Sequence, residues 1–208
     1  ADLRTGNMVG GSAELAIMNA ACAQICQHYG LPIYNTCGIA DSKLPDAQAG
    51  YETAFTVTVT ALAGAEFNHH SAGMLESLMA VAYEKYVIDD DINGMVMRLL
   101  RGIDLSDEAL SLDVIHDVCN GDGHYLGHHQ TLSIMQSEYT YPQIGDRRTR
   151  QDWESDGGLD TRDLARRRAR EILTSHFPTG FSPEVDALIR DTFPISLQSG
   201  WMRAGGYP

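Results

Sequence analysis

Gly38-Ile39-Ala40-Asp41-Ser42-Lys43-Leu44-Pro45-Asp46-Ala47-Gln48-Ala49-Gly50 separates two segments of different texture. Before it, Pro32 to Cys37 is a short apolar run that suits a buried strand, closed by Gly38. After it, Asp46 stands where a helix N-cap belongs, and the segment to about Gly64 reads as a helix. Within that segment Phe55-Thr56-Val57-Thr58-Val59-Thr60 alternates with period two and alone would read as a strand. Its length, its many alanines and its lack of an internal turn signal favour helix. Strand, loop and helix together make one βα unit.

The unit repeats on either side. Upstream, Thr5-Gly6-Asn7-Met8-Val9-Gly10-Gly11 is a glycine-punctuated loop. Ser12 then opens a helix with Leu15, Met18, Cys22, Ile25 and Tyr29 on one face, ending at Gly30. Downstream, Ala65 to His70 reads as a second strand, ended by Ser71-Ala72-Gly73. Gly6, Gly38 and Gly73 lie 32 and 35 residues apart, the length of a βα unit, and units in series imply a parallel sheet with helices outside. So few units cannot cover both faces of a parallel sheet. The fold class expected is therefore α/β: the C-terminal portion of a TIM (β/α)8 barrel, followed by a helical C-terminal extension, with a doubly wound sheet as the alternative. The chain is expected to be part of a longer one with further βα units ahead of Ala1. The division expected is 1–105 for the barrel units and 106–208 for the extension and tail.

Beyond Gly73 the texture turns helical. Asp89-Asp90-Asp91 ahead of Ile92, Met95, Val96 and Leu99, with Arg98 and Arg101 before Gly102, follows the helix macrodipole. Ser106 is placed to cap a helix from Asp107 to about Cys119, stopped by Gly121. A turn-rich stretch runs from Gly121 to Gly158. Helices over Asp160 to about His176 and Ser182 to about Thr192 precede a tail from Gly200 to Pro208.

A net charge of −13 argues against nucleic acid, which selects a basic face. It fits a small cationic ligand or a basic partner, although acidity also serves solubility. No run of about 18 apolar residues is present, so no membrane span is expected. No secretory leader is read at the start either. Cys22, Cys26, Cys37 and Cys119 lack the density of a disulfide scaffold, which points to a reduced, cytoplasmic setting.

Candidate site residues follow from position. Strand-to-helix loops carry the chemistry of α/β enzymes, which singles out the Gly38–Gly50 loop with Asp41; for Asp46 the N-cap role is the default. In Asn68-His69-His70, alternation puts the two histidines on opposite faces. His70, nearest the loop, is the candidate for the interior, and His69 is expected to face the helices. Glu76 could aim a carboxylate at the same mouth or serve as a first-turn helix acid. Asp122, His124, His128 and His129 have metal-like chemistry but no zinc spacing, and Gly127 disfavours a regular helix there. Cys22-x3-Cys26-x-His28 fits a helix in the core; no metal is expected. Eight arginines between Arg147 and Arg170 interleave with seven acids from Asp146 to Glu171, the pattern of a solvated, self-paired surface.

Gly6-Asn-Met-Val-Gly-Gly-Ser12, Ala40-Asp41-Ser-Lys-Leu-Pro-Asp46-Ala-Gln-Ala-Gly50, Ala72-Gly-Met-Leu-Glu-Ser77 and Val87-Ile-Asp-Asp90 occur in an order and spacing of their own. His124 with Thr131-Leu132, and Asp146-Arg147-Arg148, extend the set. Together they resemble the C-terminal half of the trimethylamine methyltransferase family, over nearly the whole chain. The resemblance implies a (β/α)8 barrel that moves a methyl group from a methylated amine to the Co(I) corrinoid of a partner protein, with a homo-oligomeric assembly expected. It also implies a split between members that use pyrrolysine for trimethylamine and members that lack it and act on quaternary amines such as glycine betaine. No pyrrolysine is written in this chain; Leu44, in the Asp41–Asp46 loop, is the candidate for its position. On this reading Asp41 and Glu76 balance substrate charge, His70 orients substrate or water, and Arg4 grips a substrate carboxylate. Tyr34 and Phe67 could offer aromatic faces to an ammonium group, with core packing as their default role. The alternatives are an unrelated TIM-barrel lyase or hydrolase using His70 as acid–base, and a non-catalytic homologue or fragment.

Overall fold

The computed structural model describes residues 1–177 and 180–202, so 203–208 of the expected tail lie outside the described residues. Helix dominates, with a small parallel two-stranded sheet exposed on one face. The order begins α1 (Ala13–Tyr29), β1 (Tyr34–Thr36), α2 (Ala47–Leu62), β2 (Phe67–His69). Ser12 caps α1 by accepting from the Leu15 N–H, and Gly30 ends it in the left-handed conformation. Asp46 caps α2 through the Ala49 N–H. Strands β1 and β2 pair in parallel, Tyr34 with Phe67, Asn35 with Asn68 and Thr36 with His69.

Helix α2 carries its threonines inward. Thr53, Thr56 and Thr60 are fully buried with Val57 and Ala61, a face at helical spacing hidden inside a sequence that alternates by eye. Their hydroxyls are satisfied locally. Thr53 donates to the Gly38 carbonyl at 3.0 Å and Thr56 accepts from the Gly38 N–H at 3.0 Å, so α2 grips the residue that ends β1. Cys37, Val57, Ala61 and Val96 form the apolar cluster beneath, where burial pushes the Cys37 thiol up to about 11.

Helix α1 packs differently from expectation. Its inward face is Ala16, Asn19 and Ala23, small enough for close approach. The apolar side chains of Met18, Ile25 and Tyr29 are exposed, as is Ile17. The stripe that sequence periodicity assigns to a core is therefore turned away from this chain's own sheet.

After β2 the chain departs from a simple βα repeat. Gly73 leads into a hairpin, β3 (Met74–Leu75) and β4 (Ala80–Val81), joined through a 3-10 turn at Glu76–Leu78. The turn holds Glu76, Ser77 and Leu78 at positive φ. Only then does α3 (Tyr83–Arg101) begin. Asp89, Asp90 and Asp91, expected at a helix start, instead sit inside α3. Asp89 is buried, while Asp91 accepts from the N–H groups of Gln143, Ile144 and Gly145.

The helix expected from Asp107 to Cys119 is two: α4 (Asp107–Leu110) and α5 (Leu112–Asn120). Ser106 caps as expected, but Ser111 turns left-handed (φ 55°) and its hydroxyl donates to the carbonyls of Glu108 and Ala109. A serine bonding backbone in this way competes with the helix. The stretch read as turns holds α6 (His129–Glu138) and α7 (Arg150–Ser155). α8 (Thr161–Ser175) and α9 (Pro183–Thr192) lie where expected, capped by Asp160 and Ser182. α8 packs along α3, where Arg162 and Arg166 reach Glu84. The arginine-rich surface is self-paired, as Arg148 with Asp146 and Asp156, Arg150 with Glu154, and Arg167 and Arg168 with Glu171 show. Among the described residues no helix is long and apolar enough to cross a membrane.

Candidate functional site

Three loops meet at one carboxylate. Asp41, in the loop after β1, accepts from the Gly10 N–H at 2.7 Å and the Gly11 N–H at 3.1 Å. The Ser77 hydroxyl, from the hairpin after β2, lies between the same carboxylate and the Met8 carbonyl at 3.0 Å, sharing its single proton between them. The Asp41 N–H donates to Glu52 on α2 at 2.7 Å. The glycine loops that sequence spacing singles out thus converge at the carboxyl ends of the two strands, where α/β folds place their chemistry. Lys43 is exposed and donates to the Asp41 carbonyl; Leu44 is exposed in the same loop.

Beside this node lies a cleft of about 630 Å³ whose wall includes Arg4, Asp41 and Glu52. Its charged groups are mostly acidic, with Asp2 and Glu14 joining the two carboxylates already named. Arg4 is the cationic member, and its guanidinium is held by Asp2 at 2.6 Å. That pairing holds Asp2 well below the usual carboxylate range. Glu76 is brought close through its backbone: its N–H donates to the Ser42 carbonyl at 2.9 Å. Its side chain is on the exposed tip of the hairpin, not on the first turn of a helix.

The histidines reverse the expected register. Asn35, on β1, donates to the Asn19 carbonyl of α1, so the Asn35/Asn68 face of the strand pair is the helix side. Tyr34, Phe67 and His69 therefore share the opposite face. Tyr34 and Phe67 stack at 5.0 Å with 7° between planes, and the His69 ring lies 4.9 Å from Tyr34. His69 thus faces away from the helices, contrary to simple alternation from a site at His70. His70 lies just past the strand with φ 63°, and that turn lays its ring against His69 with centroids 3.4 Å apart. Strand alternation stops at the left-handed residue, which is why both imidazoles end side by side. Among the described residues His70 Nδ1 is buried without a hydrogen-bond partner, and burial, with a smaller contribution from His69, holds the ring below the ordinary histidine range. Tyr34 and Phe67 are 60% and 56% exposed, so the two rings are not packed into this chain's core. They lie one layer, about 6–7 Å along the strand, below His69.

Reading from sequence missed the residues that hold these loops. Lys85 and Asp89 are fully buried and paired at 2.5 Å, with Lys85 also donating to Thr53. Asp89 accepts from the Gly73 N–H at 2.8 Å. Burial pushes Lys85 down and Asp89 up, each partly offset by its partner, and Glu52 adds to the offset on Lys85. A lysine and an aspartate four residues apart match a surface pair on any helix. The usable signal was the glycine-turn sequence before them, which delays the helix start and turns that face inward.

The other clusters lead elsewhere. His128 caps α6, its Nδ1 accepting from the Gln130 N–H, while His124 and His129 are exposed beside Asp117 and Asp122 around a shallow hollow. Among the described residues no group of three or more His, Cys, Asp or Glu side chains is placed to hold a metal ion. Cys22 is exposed and Cys26 half-buried on α1.

Comparison with known proteins agrees with the loop motifs. The family model of trimethylamine methyltransferase matches residues 1–194. Glycine betaine methyltransferase of Desulfitobacterium hafniense (strain Y51) is 36% identical over 91% of this chain and 39% of its own length. Trimethylamine methyltransferase MttB of Methanosarcina thermophila is 38% identical over 84% of this chain and 36% of its own. A trimethylamine methyltransferase of Desulfitobacterium hafniense (strain DSM 10664 / DCB-2) is 34% identical over 86% of the chain. The chain thus spans less than two-fifths of the length of these relatives. It belongs to the trimethylamine methyltransferase family.

Proposed function

We propose that this chain contributes the C-terminal βα units of a (β/α)8 barrel, over 1–105, with 106–208 as a helical extension and tail. In this reading the barrel moves a methyl group from a quaternary amine such as glycine betaine to the Co(I) corrinoid of a partner protein. The observation that carries the cationic donor is the acidic cleft beside the Asp41 node, whose one arginine is already paired. Family membership supports the reaction class.

The leaving group decides the donor. When methyl leaves a quaternary nitrogen, the C–N electron pair returns to nitrogen and a neutral amine departs. From trimethylamine the same step would expel an amide-like anion unless the nitrogen were first made cationic. A pyrrolysine-type electrophile would do that, and none is written in this chain. A reduced corrinoid on a partner protein would supply the nucleophile for the methyl carbon.

The chain's own residues bind and orient. Asp41 and Glu76 place negative charge at the mouth, Arg4 reaches a donor carboxylate by exchanging it for Asp2, and His70 offers an unpartnered Nδ1 to donor or water. Tyr34 and Phe67, stacked on the strand face opposite α1, lie outside the acidic cleft and offer a second aromatic face, over which an ammonium gains about 0.5–2 kcal/mol. The free state of the cysteines fits a reduced, cytoplasmic setting.

The test is a methyl-transfer assay with the full-length protein, its corrinoid partner and a reductant, followed by cobalt absorbance. Glycine betaine should be demethylated and trimethylamine left largely untouched. Equal turnover of both would refute the quaternary preference, and turnover of neither would refute the function.

A further inference from the structure

The buried Lys85–Asp89 pair has no role in the reading above. Both side chains are 0% exposed, and taking two charges out of water costs more than their attraction returns unless further hydrogen bonds complete the geometry. An apolar pair of the same volume is often as stable or more so, so stability alone does not account for the ions. The completing bonds all lead to the loops at the strand ends. Asp89 accepts from the Gly73 N–H, and Lys85 donates to Thr53 at 2.8 Å. The Thr53 hydroxyl in turn donates to the Gly38 carbonyl.

We infer that Lys85 and Asp89 are positioning residues that fix the Ser71–Gly73 loop against Gly38, and through it the placement of His70. The inference rests on the methyl-transfer reading for its activity arm only. The surroundings leave the loop little freedom. A Cβ on Gly38 would lie 2.7 Å from the Ser71 Cα, and one on Gly73 would collide with the Tyr86 ring. Asn93, one turn beyond Asp89 on α3, donates to the Ser71 carbonyl at 3.0 Å. Helix α3 therefore attaches to this loop by a carboxylate, an amide and a ring. His70 immediately precedes the loop at φ 63°, a conformation uncommon for a residue with a Cβ, and its Nδ1 has no partner of its own. What holds it is the loop, and the loop is tied to the ion pair. An apolar replacement would fill the space but could not accept the Gly73 N–H.

Two double variants of the full-length protein separate these effects. K85M/D89L removes both charges and the acceptor. K85M/D89N removes both charges but keeps an amide oxygen for the Gly73 N–H. Hydrogen–deuterium exchange on a peptide spanning residues 66–78 reads the loop without reference to activity. K85M/D89L should exchange at least tenfold faster there and lose at least tenfold in kcat with donor KM within threefold of wild type. K85M/D89N, which keeps the Gly73 acceptor but loses the Lys85–Thr53 link, should fall between wild type and K85M/D89L in both readouts. N93A, which loosens the same loop without touching the charges, should move both readouts in the direction of K85M/D89L, and serves alone should that variant fail to fold. Wild-type exchange and kcat in K85M/D89L, or in N93A where K85M/D89L is unfolded, would overturn the inference, as would equal impairment of both double variants. Should wild type itself transfer no methyl group, the function falls while the exchange arm still decides the positioning role.

Discussion

Replacing Asp41 by Asn tests whether its carboxylate mainly clips the loops or mainly meets the substrate. The carboxylate takes three donors: the Gly10 and Gly11 amides and the Ser77 hydroxyl. In D41N one oxygen is left to serve two donors, and the new amide nitrogen faces an N–H. One charge-assisted bond of about 1.5–3 kcal/mol is lost, and two others fall to the neutral range of about 0.5–1.5 kcal/mol each. That sums to about 4 kcal/mol before solvent is considered. Asp41 is half-buried, so water replaces part of the loss, and about 2 kcal/mol is the expected local cost. By the tenfold-per-1.4-kcal/mol rule this is a roughly thirtyfold rise in local opening. Hydrogen–deuterium exchange on a peptide spanning residues 5–12 of the full-length protein reads it directly. Donor KM should change by less than this factor. Unchanged exchange with KM raised tenfold or more would refute the clip and make Asp41 a substrate anchor.

His70 gives a pH-dependent outcome. Its folded pKa lies below the unfolded value of about 6.5, so above that pH both states are neutral and the group contributes nothing. Below it the unfolded chain binds a proton that the folded chain resists, and stability falls as pH drops toward the folded value. His70→Asn, which tolerates the left-handed backbone, should flatten the decline of the thermal midpoint between about pH 6.5 and 5; parallel curves for variant and wild type would count against it. His70→Ala should lower kcat at least tenfold, about 1.4 kcal/mol of transition-state stabilisation, and unaltered kcat would remove His70 from the mechanism. Asp46→Ala should cost about 1 kcal/mol as a lost N-cap, measured by denaturant unfolding at pH 7. The Ala49 N–H and Ser42 hold Asp46 below its usual range, so this difference should persist above about pH 4 and vanish as pH falls through the folded value; a difference that grows in acid would contradict it.

The parts legible in the sequence are those with local causes. Ser12, Asp46, Asp160 and Ser182 announce their helices because a capping oxygen acts within three residues. The turn glycines at 38 and 73, a few residues past β1 and β2, are legible for a similar reason, since their backbone must turn where a Cβ has no room. The failures have longer-range causes. Ser77, which closes the Asp41 node, reaches a carboxylate 36 residues earlier, and no pattern within the hairpin betrays it. The apolar face of α1 is legible as a stripe, but periodicity says only that a face is buried by something, not by which element. In this chain the sheet takes the small-residue face instead.

The histidines show the same limit at the candidate site. Period-two alternation holds within the strand pair, where Tyr34, Phe67 and His69 share one face, but counted back from His70 it turns His69 toward the helices. It fails one residue later, because His70 has left the strand for a left-handed turn. Three residues on, the Gly73 N–H donates to Asp89, and Asp89 pairs with Lys85, twelve residues beyond the glycine. The orientation of the candidate side chain is thus set by a buried pair that sequence spacing shows only as an ordinary helix-surface salt bridge. The position of that loop at the strand ends follows from local glycine signals, whereas the direction in which its histidines point follows from charges buried behind it.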